Sequence, residues 1–285
     1  MGIIKNLESL LLSTFLTICT AGADFLERNV CDFPGYQFNP RVSKNNKVVW
    51  VDAREGFYLS IYGKELPDRG EIKISQQDRW WDSMPSIEND NVVWFSYPQI
   101  VPTGQLYKRR WNYENEKPLL EIISYPGDFI PIISRNIVAL SSFNPEENKS
   151  KVSFLDLETE TMLPGNIEYS GFSPISFSEE WTSWNEDGNI FAYNYLTKEK
   201  RQITFDNLSK SNPFTDGKTI AYARLCEDGK KHVFAYDLET KQKRQRTNFP
   251  SNQDIQAVLG KRIAFSDDRQ GNNNYILAVQ DCING

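Results

Sequence analysis

Apolar residues in this chain come in short runs between polar stretches, and the runs recur along nearly its whole length. Six of them are close copies: 47–51 (KVVWV), 91–95 (NVVWF), 136–140 (NIVAL), 181–184 (WTSW), 218–222 (KTIAY) and 261–265 (KRIAF). Runs of this length, rich in Val, Ile and Trp, read as β-strands. Within about ten residues before each lies an anchor: Pro40, Pro85, Pro131, Pro174 and Pro213 in five copies, and Asp254-Ile255 in the sixth. Each anchor opens a short first strand, and the apolar run is the second.

A third strand with aromatic alternation follows, at 57–62 (FYLSIY), 105–108 (QLYK), 152–157 (VSFLDL), 190–195 (IFAYNY), 233–238 (VFAYDL) and 275–279 (YILAV). A polar fourth strand comes next, at 71–75 (EIKIS), 120–124 (LEIIS) and 201–204 (RQIT). Turns between strands carry Gly, Asn and Asp, as at 186–189 and 227–230. The third-to-fourth turn repeats almost letter for letter, DLETE at 156–160 and DLETK at 237–241. A period of roughly 39 to 46 residues built of short strands predicts an all-β fold, a six-bladed β-propeller with four antiparallel strands per blade. The sixth repeat ends after its third strand. Residues 26–31 stand at the right distance before Pro40 to supply the missing outer strand, so the N-terminal strand is expected to close the ring and remove open sheet edges. That closure brings Cys31 and Cys282 toward each other, and a disulfide between them is expected.

Size and charge narrow the classes. Six repeats of about 43 residues account for nearly all of residues 24–285, read as a single propeller domain. Aromatics are 13% of the chain, which suits sheets packed face to face. The net charge of −6 disfavours nucleic acid and anionic lipid as partners. Residues 1–23 read as a secretory signal peptide, with Lys5, a mostly apolar stretch at 10–18 and Ala21-Gly22-Ala23 as the cleavage site. A short buried N-terminal helix is the alternative for that segment. Cys19 stands in a lipobox-like context at 16–19, with Ile18 where a small residue is preferred. No other stretch is long and apolar enough for a membrane span. The expected location is periplasmic or secreted. Cys226 is left as a free, half-buried thiol near a hairpin turn.

The succession of Pro, short strand, Val-Val-Trp, Asp-x-Arg-x-Gly (Asp52, Arg54, Gly56), aromatic strand, Asp-Leu and Gln-Ile-Thr resembles the TolB-type six-bladed propeller repeat. The resemblance covers residues 26–280 and implies a periplasmic or secreted protein that binds something at the mouth of its central channel. The family's namesake carries an additional α/β domain before its propeller. Here the repeats are expected to fill the chain without one, so the namesake's role does not simply transfer.

The candidate chemistry is sparse. The single histidine, His232, cannot build a multi-histidine metal site, and a mid-strand place is poor for a catalytic triad. It reads as structural, and no metal or cofactor is expected. Asp-x-Arg-x-Gly recurs at Asp267, Arg269 and Gly271. It reads either as an Asp–Arg pair bracing a turn, with Gly at positive φ, or as calcium ligation by Asp52, Asp267, Asp268 and Asn272 to Asn274. The most suggestive segment is Arg79, Trp80, Trp81 and Asp82, read as a connection between the first and second blades. Two Trp beside Arg and Asp offer flat apolar surface with directional polar groups. The alternative is that one indole packs between blades and the other caps it. Equivalent joints supply Asp128, Asn212 and Asp254. The expected function is therefore a binding module for a protein or glycan partner. A carbohydrate-active enzyme, glycosidase or lyase, and an envelope scaffold are the competing readings. Oligomeric state is not legible.

Overall fold

The computed structural model describes residues 36–56, 58–66, 70–76, 80–98, 103–112, 117–123, 130–211, 213–259, 262–268 and 276–281. Every regular element among them is a strand. No helix among the described residues is long and apolar enough to cross a membrane. The chain divides into two compact units, parted between Pro126 and Gly127.

The first unit holds two four-stranded antiparallel sheets. One is β1 (Gln37–Val42), β2 (Lys47–Asp52), β3 (Ser60–Glu65) and β4 (Ile72–Lys73). The other is β5 (Trp80–Glu88), β6 (Asn91–Pro98), β7 (Thr103–Arg110) and β8 (Lys117–Ile123). In both, strand order follows chain order, as a meandering blade requires. Val49, Val51 and Ile61 of the first sheet pack on Ile87, Val92 and Trp94 of the second. These apolar runs are central strands with a neighbour sheet on a face, which is why they read as nearly continuous hydrophobic stretches.

The second unit repeats the plan. Its first sheet holds β9 (Ile130–Ser134), β10 (Ile137–Asn144), β11 (Lys149–Asp156), β12 (Thr161–Met162) and β13 (Ile167–Ser170). Next come β14 (Ser176–Ser178), β15 (Trp181–Glu186), β16 (Asn189–Asn194) and β17 (Lys200–Gln202). Then follow β18 (Phe214–Thr215), β19 (Thr219–Leu225), β20 (Lys231–Asp237) and β21 (Lys243–Gln245). The last sheet is β22 (Gln253–Leu259), β23 (Arg262–Asp267) and β24 (Ile276–Asp281). Phe154 stacks on Tyr195 of the following sheet with centroids 5.2 Å apart. Tyr222 and Phe234 pack on Ile190 and Ile203 of the sheet before. Inner strands of adjacent sheets are stitched by hydroxyls: Ser134 Oγ accepts from Glu179 N at 2.8 Å, and Ser176 Oγ accepts from Thr215 N at 2.9 Å.

The anchor prolines lie in or just before the inner strands, where an edge position tolerates a missing N–H. At two anchors the strand bulges, in β1 between Phe38 and Arg41 and in β5 between Ser83 and Ser86. The residue before each proline, Asn39 or Met84, has φ near +50° (52° and 51°). One outer strand departs from the expected pattern. β11 pairs with β12 at one end and β13 at the other, because Pro164 and Gly165 (φ 106°) interrupt the run between them. The proposed closing strand at 26–31, and Cys31 and Cys282, lie outside the described residues.

Outer strands are short, and a repeated hydroxyl substitutes for the ladder where they stop. Ser75, Thr204 and Thr247 each accept the backbone N–H of the residue 14 positions earlier, Ile61, Ile190 and Val233. Removing one of these hydroxyls leaves a buried N–H without that acceptor. Thr204→Val, which keeps the shape, is expected to cost about 1–2 kcal/mol in urea unfolding. An unchanged midpoint would show that the hydroxyl contributes nothing there. The third-to-fourth turns are built alike. Asp156, Asn194 and Asp237 each accept the N–H groups two and three residues on, an Asx turn that explains the recurring Asp-Leu-Glu-Thr.

Candidate functional site

The site in the first unit begins at the N-terminal end of β5. Trp80 and Trp81 open this strand rather than sitting in a connection, since Trp80 pairs with Pro98 and Trp81 with Tyr97 of β6. The polar residues around them had suggested a loop. On its other side β5 meets the first sheet: Trp81 forms a parallel bridge with Leu59, and Asp82 N donates to Leu59 O at 3.0 Å. Trp81 is 46% exposed, whereas the next residue, Asp82, is 1% exposed. That contrast follows from the pleat, which sends successive side chains to opposite faces. The Asp82 carboxylate accepts the Ser96 hydroxyl of β6, so it braces the strand from below. Tyr97, the cross-strand partner of Trp81, fills the space over Gly104, where a Cβ would lie 2.6 Å from the Tyr97 ring.

Leu59 belongs to the hairpin between β2 and β3, so that hairpin stands beside Trp81. It carries Asp52, Arg54, Glu55 and Gly56, and a dense polar network holds it. Asp52 Oδ2 accepts from Trp50 Nε1 at 3.0 Å and from Arg54 Nη2 at 2.6 Å. Arg54 also bridges to Glu71 at 2.7 Å and lies over the Tyr62 ring, 4.1 Å from its centroid. Gly56 takes φ 87° where the turn reverses, a conformation that favours glycine. The bracing reading of Asp-x-Arg-x-Gly therefore describes this copy. In the other, Arg269 and Gly271 lie outside the described residues. Glu55 accepts from Tyr62 Oη and Lys73 Nζ, both at 2.7 Å, and from Ser60 Oγ at 3.2 Å.

The electrostatics follow from these contacts. Burial alone would raise the Asp52 carboxyl, but the hydrogen bonds from Arg54 and Trp50 and the Arg54 charge outweigh it and hold it below the usual range. Burial likewise opposes, and Lys73 and Tyr62 outweigh it, at Glu55, which also sits low. Burial and then the Glu55 carboxylate push the Tyr62 phenol up to about 12. Both carboxylates are ionised, paired groups. They are poor proton donors, and their oxygens already accept from the hairpin itself.

Arg79, Asp128 and Asn212 lie outside the described residues, and Trp80 is placed through its backbone in β5. Asp254 is half-exposed on β22, with Lys231 Nζ 3.9 Å from its carboxylate. His232 is buried, its ring nitrogens 2.9 Å from Gln253 Oε1 and 2.8 Å from Asp228 Oδ2. Gln253 in turn accepts the Thr247 hydroxyl at 3.0 Å, so the imidazole ties the third strand of one sheet to the inner strand of the next. Cys226 is a free, half-buried thiol at the 226–229 turn. The network around Glu55 and Tyr62 was not read from sequence. Its one signal was two acidic residues flanking Arg54 ahead of a strand with two tyrosines, Tyr58 and Tyr62.

No family profile matches this sequence, and no curated protein matches it. Solved structures do resemble it in fold. The β-propeller domain of the Trilobed protease from Pyrococcus furiosus, described as having an open velcro topology, superposes with a TM-score of 0.69 at 13% identity, over 87% of this chain and 81% of that one. A Pyrococcus horikoshii acylaminoacyl peptidase gives 0.68 at 14% identity, over 88% of this chain and 46% of that one. An oligogalacturonate lyase in complex with manganese gives 0.56 at 12% identity, over 77% and 67%. The chain thus spans about half the length of the acylaminoacyl peptidase it matches. At these identities the likeness concerns the fold alone: the sheets are those of a β-propeller of the kind carried by peptidases and lyases.

Proposed function

We propose that this protein is a secreted or periplasmic β-propeller binding module that engages a protein or glycan partner around Trp81. In this reading it is a six-bladed ring of the TolB type. Residues 26–31 supply the outer strand of the last blade, and Cys31 bridges Cys282. The bridge would close a loop of about 250 residues and stabilise the fold by roughly 4–5 kcal/mol on the chain-entropy account.

The observation that carries the reading is the exposed indole of Trp81, fixed on a strand, flanked by a buried brace and beside a hairpin rich in directional polar groups. Trp on a rigid element is a typical anchor for recognition, because its large surface is buried at small entropic cost. A carbohydrate-active enzyme would need carboxylates available to substrate, one of them able to give a proton. Asp52 and Glu55, the carboxylates of this hairpin, are instead ionised and committed to Arg54, Trp50, Lys73 and Tyr62.

The test is capture of partners from envelope and secreted fractions, with a glycan array in parallel, using the parent protein and Trp81→Ala. A ligand retained by the parent and lost by the variant supports the proposal. Ligands retained equally by both contradict it. His232 has no part in this reading. His232→Gln is accordingly expected to leave binding of the same ligand within about threefold, as measured by calorimetry. A loss of a hundredfold in a folded variant would assign the imbalance to a site built on the imidazole.

A further inference from the structure

A different surface emerges from the second unit, and it does not rest on Trp81. In a four-stranded meander, the connection leading to the next sheet and the hairpin between second and third strands lie at the same end. In the second unit the contacts bear this out for three consecutive sheets. Gly171 N donates to Asn148 O at 2.8 Å, Lys210 Nζ donates to Gly188 O at 2.9 Å, and Lys231 N donates to Asn252 Oδ1 at 3.1 Å. Connections and hairpins thus alternate along one end of the stacked sheets.

The connections carry exposed apolar side chains. Phe172 is 61% and Phe205 77% exposed, and Leu208 and Phe249 are exposed as well. Phe172 stands edge-on to Phe143, which leaves most of its ring outward. The hairpin tips between them carry Glu146, Glu147, Asp187 and Glu227, all exposed. Opposing cations at this end are few among the described residues. Lys149 and Lys230 stand at the feet of two tips, Arg246 opens the 246–252 connection, and Lys231 faces Asp254. Lys210 is buried against Asp206, Gly188 and Leu208, and Arg224 pairs with Asp206. The turns at the other end of these sheets mix both signs, with Arg135, Glu179, Lys218 and Lys241 among them, and two large apolar side chains are exposed there among the described residues, Leu196 and, beside the 157–161 turn, Met162.

We infer that this end of the second unit docks a cationic, amphipathic polypeptide segment, with its apolar side chains on the phenylalanines and its Lys or Arg side chains on the acidic tips. Burying an exposed Phe is favourable and offsets the ordering of the segment. The carboxylates select the sign of the partner and speed its arrival in a salt-dependent way. They disfavour nucleic acid and anionic lipid, and a neutral glycan would leave them unused.

The probe is a labelled 18-residue helix-forming peptide of Lys and Leu, with a Glu and Leu peptide of the same pattern as its counterpart, read by fluorescence anisotropy on the full chain. The Lys/Leu peptide is expected to bind, more weakly as salt rises, and the Glu/Leu peptide to fail. Phe172→Ser with Phe205→Ser should weaken binding at least about tenfold. E146Q/E147Q/D187N/E227Q should weaken it several-fold and flatten the salt dependence. E158Q/E160Q/E199Q/E239Q, at the other end, and Trp81→Ala should leave it unchanged. All these positions are exposed, and an unchanged thermal midpoint confirms that each variant is folded. Equal loss from the two charge sets would reduce the effect to bulk charge and overturn the inference. So would binding that ignores the phenylalanine changes. Loss on Trp81→Ala alone would move the segment to the first unit.

Discussion

Replacing Asp52 by alanine is expected to lower the unfolding free energy by about 3–5 kcal/mol, the usual consequence of stripping one partner from a buried ion pair. The Asp52 carboxylate is buried and receives the Trp50 indole and the Arg54 guanidinium on one oxygen. Without it, Arg54 keeps Glu71 but loses its buried partner, and the Trp50 N–H faces no acceptor there. Arg54→Ala should cost a comparable amount, and the double variant less than the sum, because each single change strands the other group. Urea unfolding of the four proteins measures this directly. Additive losses would mean that the two side chains act separately. The same pair sets an acid limit. A carboxyl held below its ordinary value contributes stability that is present above about pH 4, where the unfolded chain is already ionised. That contribution is lost as pH falls through the folded value. Glu55 acts in the same direction. Asp52→Asn should therefore be less stable at neutral pH and lose less on acidification than the parent.

Trp81→Ala is expected to weaken partner binding about thirtyfold, close to 2 kcal/mol, while stability moves by no more than about 0.5 kcal/mol. The reasoning separates the two effects by exposure. Half of the indole faces water, so little packing is lost when it is cut, whereas a partner that covers it loses a large, rigid contact. Trp94, buried in the core of the same unit, is the control: its truncation should destabilise the protein, and any binding loss there would follow from unfolding. If Trp81→Ala unfolds the chain as Trp94→Ala does, the indole is core and the binding site lies elsewhere.

Much of the fold was legible because central strands speak clearly. The runs beginning at Lys47, Asn91, Lys218 and Lys261 became β2, β6, β19 and β23, each starting within one residue of its run. Each is flanked by strands on both sides, so its apolar pattern is nearly unbroken. Outer strands were harder, since β4, β17 and β21 keep only two or three paired residues before a hydroxyl takes over. The outer strand of the third sheet had no run to be read from, because Pro164 and Gly165 divide it into β12 and β13. The candidate site was legible in part. Trp81 stood out by residue type, yet its polar neighbours made a strand look like a loop. Asp82 looked like a rim residue because a sequence shows a carboxylate but not the Ser96 hydroxyl, 14 positions on, that accounts for its burial. Phe172, Phe205 and Phe249 drew no attention among the Ser, Asn and Pro of the connections, where exposure cannot be told from packing by spacing alone.

The most direct measurement is site-specific photo-crosslinking in the producing cells. A photoreactive residue is placed at position 81, with position 239, exposed on a turn of the second unit, as control. A partner seated on the β5 end should give a discrete adduct at position 81, suppressed by excess parent protein and absent at position 239. No adduct at position 81, or the same adducts at both positions, would contradict recognition around Trp81.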